Sequence, residues 1–440
     1  MGRAADIGLR ISRCAGWTER VLARAPRRVP NSVLSVADQV VASATTFVTG
    51  VLIGRVCTKE EFGLYTVGFS LLTVLMAVQA SLIATPFMIR YPRLTGDDGR
   101  RFAGSSFAHQ CAFAAVVSAL VLISGLSCFG HNPALAQTIS ALGAALAFLL
   151  LRDYVRQNCF ARLAYAKALL LDVLLAALQI VGLVALYLTG ALHSWSAFLV
   201  LGMSSAVTAF HWFIVTRHER IVTRSAIAED FARNWTAGKW LLASGVAWAL
   251  SMNLYAWIVA GFHGAAMAGT WAAALGVMTL INPLMLGVQN YLGPRIMHAR
   301  ADGGVRRLQR VVRDSAIAFC GMLLVFTGAM AIAGDSLVTL VYGAKYAGNG
   351  LLVVLLSLNA AVLTVGFVVS RGLFALELAR IDFYVNFIAL ASFLLIGVAL
   401  VRWSGPVGAA AAQLITNSAA TAIRSAAFAN ASGRLAREAA

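Results

Sequence analysis

The sequence predicts an all-α protein that crosses a membrane about twelve times, in two lobes of six helices. Its 440 residues are 60% apolar and 12% charged, with a mean hydropathy of +0.79. Soluble globular chains are roughly 45–50% apolar and about 25% charged, so the soluble class is excluded. Apolar runs recur at about the 20 residues that a membrane helix needs. Because twelve such runs leave only short connections, no large catalytic domain fits.

The first thirty residues predict a basic amphipathic segment. They contain seven arginines. Their apolar residues recur every three or four positions, which places them on one face of a helix; they are Ile7, Ile11, Cys14, Trp17 and Val21. Such a helix suits the headgroups of an anionic membrane surface. A mitochondrial presequence is the alternative, but Asp6 and Glu19 argue against it because such segments avoid acids.

Twelve apolar segments of spanning length follow. They are 31–54, 64–89, 105–129, 136–160, 164–188, 195–215, 239–260, 268–291, 315–333, 350–371, 381–401 and 406–428. The chain is therefore divided into an amphipathic segment, a first lobe, a cytoplasmic linker, a second lobe and a tail. The predicted boundaries are 1–30, 31–216, 217–238, 239–428 and 429–440.

The charges orient these spans. With the N-terminus inside, 31 of the 35 Lys and Arg residues fall in inner segments and only 4 in outer loops. Cytoplasmic loops collect Lys and Arg, so the alternation predicts both termini in the cytoplasm. Segments 217–238 and 296–314 mix apolar and charged residues and are predicted to be surface helices. Two lobes joined by a cytoplasmic linker are typical of a transporter, with the substrate path between the lobes.

One polar face in the first span includes Asp38, Gln39 and Thr46. Asp38 lies about 10 Å into the helix at a rise of 1.5 Å per residue. Lipid does not hydrate a carboxylate, so this face must meet water or a cation. Asp38 is therefore either a protonatable group that couples transport to an ion gradient or one half of a buried ion pair with an arginine. Asp172 in the fifth span is interpreted as structural, with Asp172 or Gln179 pairing with Lys167 or Arg162.

The seventh span presents Trp248, Ser251 and Tyr255 on one stripe with Ser244. Aromatic rings with a polar edge suit stacking on sugars, and interhelical packing is the alternative. In the eighth span Asn282 precedes a proline. A proline inside a helix frees a carbonyl and bends the helix, which is common where spans line a path.

Arginines mark the inner ends of several spans. Arg152 and Arg156 are one helical turn apart, and a guanidinium holds phosphate in a bidentate fork. They are candidates for binding an anionic headgroup, and the alternative is that their stems only reach back to the interface. Arg90, Arg295 and Arg371 also end inward-going spans and are candidates for the same basic vestibule.

The sequence has no nucleotide-binding GxxxxGK[ST] loop and no HExxH zinc motif. Its six cysteines form no close pair, so neither a zinc cage nor a redox dithiol is predicted. The expectation is a protein that is not an enzyme, has no metal or cofactor and binds no nucleic acid. A proton or sodium gradient is the expected energy source.

Several strings resemble the polysaccharide transporter (Wzx-type flippase) family, whose superfamily also holds the multidrug (MATE) exporters and the lipid II flippases. The resemblance runs from about 31 to 428. It is carried by the segments 35–39, 61–65, 85–90, 280–295, 340–346 and 405–409.

This resemblance implies a MATE-like fold in the bacterial inner membrane. It implies a flippase for an oligosaccharide linked to polyprenyl pyrophosphate, used in O-antigen, capsule or exopolysaccharide synthesis by alternating access. Membrane lipids, a polysaccharide polymerase and other assembly proteins are the expected partners. The alternatives are an ion-coupled multidrug exporter of the MATE type and a membrane-bound polymerase or glycosyltransferase. The short outer loops argue against such an enzyme.

Overall fold

A computed structural model describes residues 30–130 and 132–438, and their regular structure is entirely helical. The predicted amphipathic segment 1–30 lies almost wholly outside the described residues. The α-helices are α1 (Asn31–Val56), α2 (Lys59–Gln79), α3 (Thr85–Arg90), α4 (Gly96–Ser127), α5 (Pro133–Ala161), α6 (Tyr165–Leu188), α7 (Ser194–Thr216), α8 (Arg224–His263), α9 (Ala265–Met278), α10 (Asn282–Tyr342), α11 (Gly350–Ala375), α12 (Ala379–Ser392) and α13 (Val398–Glu438).

The helices confirm the predicted class of fold. Among the described residues, ten helical stretches are long and apolar enough to cross a membrane. The predicted eighth span is divided, because α9 ends at Met278 and a 3-10 turn, Thr279–Ile281, leads into α10. The last two predicted spans share one stretch, Arg380–Arg437. These two differences account for ten stretches where twelve spans are predicted.

Irregular turns interrupt several of the long helices. A π-helical segment, Ala80–Ala84, separates α2 from α3. Gly304 (φ 64°) breaks α10 and Gly405 (φ 56°) breaks α13, both in a backbone region that side chains other than glycine rarely adopt. The break at Gly405 comes directly before Pro406, where the sequence predicts that the twelfth span begins.

Among the described residues, 30–56 and Gly68–Ala249 form one compact unit, and Cys57–Val67 with 250–438 form another. This division follows contacts within the chain, so the predicted lobe and linker boundaries stay predictions.

In the first unit α1 packs on α6, and α5 packs on both α4 and α7. Its core includes Ile83, Tyr154, Cys159 and Trp212.

The predicted linker 217–238 packs within the first unit. The backbone N–H of Ile221 donates to the carbonyl oxygen of Arg100, 3.0 Å away. The backbone at Ile221 also lies so close to Gly104 that a Cβ there would collide with its carbonyl oxygen. The linker therefore contains an extended stretch held against α4, followed by the first turns of α8.

In the second unit α11 packs on α10 and α13 around Leu308, Val312, Leu373 and Phe428. The segment before the ninth predicted span is amphipathic as expected. Val305, Leu308 and Val312 are buried. The arginines at 306, 307, 310 and 313 are exposed.

The start of α2 belongs to the second unit because it lies against α9. A Cβ on Gly63 would meet the carbonyl oxygen of Ala265 at 1.7 Å. The ring of Phe62 lies 5.7 Å from that of Tyr342. Lys345 donates to the carbonyl oxygen of Cys57. Burial raises the pKa of the Cys57 thiol to about 12, and the nearby Glu61 adds to this effect.

Candidate functional site

Two arginines of α5 face the interior of the first unit. Arg152 and Arg156 lie one turn apart, and their side chains are only 18% and 16% exposed. The helix is held in place on other faces by Tyr154 and Val155, which are almost fully buried. The packing of α5 therefore directs both guanidinium groups at α1 and α6.

Arg156 bridges two carboxylates from different helices. Its Nη2 and Nε donate to Asp38 Oδ2 over 2.6 and 3.1 Å. Its Nε also lies 3.0 Å from Asp172 Oδ2. Asp38 is completely buried, and its Oδ1 accepts no hydrogen bond from any described residue.

Arg152 completes the cluster. Its Nη2 donates to Asp172 Oδ1 over 2.7 Å, and Asp172 is 3% exposed. Two arginines and two aspartates therefore balance each other in charge. Buried charges of opposite sign need such pairing because the interior does not solvate them. We call Asp38, Arg152, Arg156 and Asp172 the arginine–aspartate cluster.

A small crevice opens beside the cluster. It is lined by Arg152, Val155, Arg156, Ala168, Leu171, Asp172 and Thr208. A bound anion there would meet guanidinium groups whose fork matches a phosphate. It would have to displace carboxylate oxygens that already occupy part of each fork.

For Asp38 the geometry matches the second sequence interpretation, a buried ion pair with an arginine. The predicted pairing of Asp172 or Gln179 with Lys167 or Arg162 is wrong. Asp172 binds Arg152 and Arg156, whereas Gln179 donates to Thr49 over 2.7 Å. The cause is lateral packing: α6 lies beside α1 and α5, so cations on neighbouring helices are closer than those at its own end.

Arg162, one of the two cations predicted to pair with Asp172 or Gln179, binds other residues. It donates to Glu219, and its guanidinium lies 4.6 Å above the ring of Tyr91.

Of the other two residues predicted on this face, Gln39 contacts the cluster and Thr46 does not bond to it. Gln39 is exposed, and its Oε1 accepts from Arg156 Nη2 over 3.3 Å. Thr46 is exposed and donates to the carbonyl oxygen of Ala42 on its own helix. The buried threonines of this helix are Thr45 and Thr49. The polar face is therefore narrower than the sequence predicts.

Arg90 does not join the arginine–aspartate cluster. It donates to Asp230 over 3.0 Å and to Asn234 over 3.1 Å, and so ties α3 to the first turns of α8. Asp230 also accepts from Ser105. Arg295 is an exposed residue of the second unit. Arg371 lies 4.7 Å from the ring centre of Phe367.

The residues of the aromatic stripe in the seventh span differ in their burial. Tyr255 is buried, with ring centres 4.1 Å from Phe393 and 5.8 Å from Trp271, as in the packing alternative. Trp248 is exposed and Ser251 is partly exposed.

Asn282 begins α10, in agreement with the predicted interruption of the eighth span. Its side chain lies outside what the structure describes, as does that of Ser244.

Sequence reasoning missed a buried chain of polar groups in the first unit. Gln110 Nε2 donates to Gln79 Oε1 over 3.2 Å, and Gln79 Nε2 donates to Asp153 Oδ2 over 3.1 Å. All three side chains are buried. A carboxylate and two amides inside apolar helices are a detectable pattern, but their meeting depends on helix packing.

A second missed group lies in the second unit. Arg424 Nε donates to Asp382 Oδ1 over 2.7 Å, joining α13 to α12. Nearby, Asn417 donates to Asn359, which donates to Gln413. These contacts fix helices that the sequence treats as separate apolar spans.

Residues 30–296 match the sequence profile of a family described as "Polysaccharide biosynthesis protein". No curated protein matches the sequence. The fold is similar to that of several solved transporters. A multidrug resistance MATE family transporter of the MOP superfamily, in an inward-facing conformation, has a TM-score of 0.74 at 12% identity, with 92% of this chain and 100% of that chain covered.

The lipid II flippase MurJ in an inward closed conformation has a TM-score of 0.68 at 13% identity, covering 89% of this chain and 86% of that chain. A variant of the Vibrio cholerae MATE transporter VcmN has a TM-score of 0.62 at 14% identity, covering 91% of this chain and 95% of that chain. These likenesses show the fold, which is the MATE-like fold that the sequence resemblance implies.

Proposed function

The chain belongs to the polysaccharide biosynthesis protein family, and on that premise we propose that it translocates an oligosaccharide linked to polyprenyl pyrophosphate across the bacterial inner membrane. The family match and the likeness to a lipid II flippase support a flippase or exporter. In this role it moves its substrate by alternating access and makes no covalent change to it. Membrane lipids, a polysaccharide polymerase and other assembly proteins are the proposed partners, and both termini lie in the cytoplasm.

The arginine–aspartate cluster is the observation that carries the choice of substrate. Pyrophosphate is a multivalent anion, and two forked guanidinium groups one turn apart suit its oxygens. Arg152 and Arg156 keep 18% and 16% of their side-chain surface exposed, next to the crevice. We propose that phosphate oxygens displace Asp172 from Arg152 when the substrate binds.

The test replaces the forked guanidinium group of Arg152 but keeps its positive charge. Arg152→Lys retains the ion pair with Asp172, yet a lysine does not form two parallel hydrogen bonds to phosphate. Hydrogen bonds to charged groups contribute about 1.5–3 kcal/mol, so flipping is expected to fall about 10- to 100-fold. The assay follows a fluorescent lipid-linked oligosaccharide in proteoliposomes.

Arg313→Lys is the matched control, because Arg313 is exposed and paired with the exposed Asp314. Its flipping rate should equal that of the unchanged protein. Equal rates for Arg152→Lys and Arg313→Lys, at equal protein levels, would remove Arg152 from substrate binding.

An ion-coupled multidrug exporter is the second candidate, favoured by the likeness to MATE transporters and by a buried carboxylate in the first span. The same proteoliposomes separate the two, since an exporter of this kind would move a lipophilic cationic dye. Dye transport without flipping of the oligosaccharide would replace the first proposal by the second.

A further inference from the structure

Asp153 is a buried carboxyl group whose hydrogen-bond partner is an uncharged amide. It is 6% exposed, and Gln79 and Gln110, which lead away from it, are fully buried. Its one hydrogen-bond donor among the described side chains is the Gln79 amide, at 3.1 Å. The residues that touch it thus supply dipoles but no countercharge.

No ion pair of Asp153 exists among the described residues. Arg152 and Arg156 flank it in sequence and act on it electrostatically, but they point to the other side of α5 and bind Asp172 and Asp38. The arginine–aspartate cluster is already neutral without Asp153. An ionised Asp153 would therefore carry a charge that no contacting cation neutralises.

Among the described residues, no cation of the other helices packed on α5 forms an ion pair with Asp153, and Lys167 of α6 is exposed. α2 and α4 face it with Gln79 and Gln110. Arg90 of α3 is bound to Asp230. The one titratable residue of α7 is His211, which is partly exposed, and α7 brings Trp212 to within 6.2 Å of the Tyr154 ring.

An unpaired carboxylate in a low-dielectric interior is costly, and such a group takes up a proton instead. The hydrogen bonds around Asp153 support the same conclusion. Gln110 Oε1 is buried and accepts from no described residue, so the group has more acceptors than donors. A protonated Asp153 adds one O–H donor.

Protonation also changes the direction in which the amides can bond. An ionised Asp153 requires donation from Gln110 to Gln79 and from Gln79 to Asp153. A protonated Asp153 permits the reverse order, in which its O–H donates to Gln79 Oε1 and Gln79 Nε2 donates to Gln110 Oε1. Turning both amides by 180° makes this exchange, since their oxygen and nitrogen ends have nearly the same shape.

Gln79 lies next to an irregular part of the helix backbone. It is the last residue of α2 and directly precedes the π-helical segment Ala80–Ala84. π-Helical turns occur mostly as single insertions in α-helices and are frequent at functional sites. The Gln79 amide therefore connects Asp153 directly to the irregular turn between α2 and α3.

We propose that Gln79, Asp153 and Gln110 form a proton-binding site, with the proton on Asp153 and not on Asp38. Its use in coupling flipping to a proton gradient rests on the proposed function. Asp38, by contrast, lies in a direct ion pair with Arg156.

Infrared difference spectroscopy of the purified full-length protein in nanodiscs tests the site without any substrate. The spectra compare acidic with alkaline buffer and report the C=O stretching band of a protonated carboxyl group. The unchanged protein should show a band that persists at neutral pH. Asp153→Asn should abolish that band, whereas Asp38→Asn should retain it.

Gln79→Leu provides a second test if Asp153→Asn does not fold. Removing the amide should shift the frequency of the band and raise the pH at which it disappears, because the ionised form loses its donor. The proposal is overturned by a band that survives Asp153→Asn or is lost in Asp38→Asn, by an unchanged band in Gln79→Leu, or by the absence of any such band in the unchanged protein.

The coupling role is tested in the flipping assay with and without an imposed pH gradient. Asp153→Asn should flip the lipid-linked oligosaccharide at a rate that no longer responds to the gradient. A gradient response equal to that of the unchanged protein would overturn coupling through Asp153. If no variant flips the oligosaccharide, the proposed function fails while the infrared result for the site still stands.

Discussion

Replacing Arg156 by glutamine should destabilise the first unit more than almost any other single polar substitution. Arg156 contacts Asp38 and Asp172, which come from α1 and α6. Glutamine keeps hydrogen-bonding groups but removes the positive charge. Arg156→Gln therefore leaves a completely buried Asp38 with no countercharge, while Asp172 keeps Arg152.

The size of the effect follows from the burial of the pair. Breaking a buried ion pair by removing one partner costs about 3–5 kcal/mol, since the remaining charge is neither solvated nor paired. Removing both charges costs much less, so Asp38→Asn combined with Arg156→Gln should restore most of the loss. The interaction energy from the double-mutant cycle should therefore be about 3 kcal/mol, at the upper end of the range for residues in contact.

The assay is reversible unfolding in mixed detergent micelles, compared for the unchanged protein, each single variant and the double variant. Arg313→Gln is the control, because an exposed pair contributes about 0–1 kcal/mol. A loss in Arg156→Gln no larger than in Arg313→Gln would refute the reasoning. It would mean that Asp38 carries no charge or that water reaches it.

Three further predictions concern packing, reactivity and orientation. Gly63→Ala should destabilise the protein by about 1–3 kcal/mol in the same unfolding assay, because its backbone lies against α9, whereas Gly50→Ala meets nothing within 4 Å and should not destabilise it. Cys57 is buried and its pKa is raised, so a maleimide near neutral pH should leave it unmodified until the protein unfolds. The partly exposed Cys128 should react in the folded state. Modification of Cys57 before unfolding would contradict its burial. In intact spheroplasts an impermeant maleimide should label Cys128 but not a cysteine placed at Arg306, and the opposite pattern would invert the predicted topology.

Local properties of the sequence were sufficient to predict the helices. Hydropathy is a property of consecutive residues, so the apolar runs predict where helices lie, and the interruptions at Asn282 and Gly405 follow from backbone chemistry. The amphipathic segment before the ninth predicted span is also local, because buried Leu308 and exposed Arg307 differ by one step around a helix.

For a polar side chain that bonds to another helix, the sequence predicts only the chemical class of its partner and not which residue it is. The sequence indicates that Asp38 needs a cation, and it favours nearby cations for Asp172. The partner of Asp38 is Arg156, which is 118 residues away in the chain. Several arginines lie near the ends of the predicted spans. Hydropathy does not indicate which helix packs beside which.

Only tertiary packing decides how each helix is rotated about its own axis, and this rotation separates Asp153 from the arginine–aspartate cluster. Asp153 follows Arg152 directly, so the sequence places them together, yet a step of 100° turns one toward Gln79 and the other toward Asp172. The sequence by itself determined that charged groups lie inside apolar helices. The packing of α5 against its neighbours determined which of these charges are paired and left Asp153 among neutral amides, because burial and pairing depend on surfaces that meet across the fold.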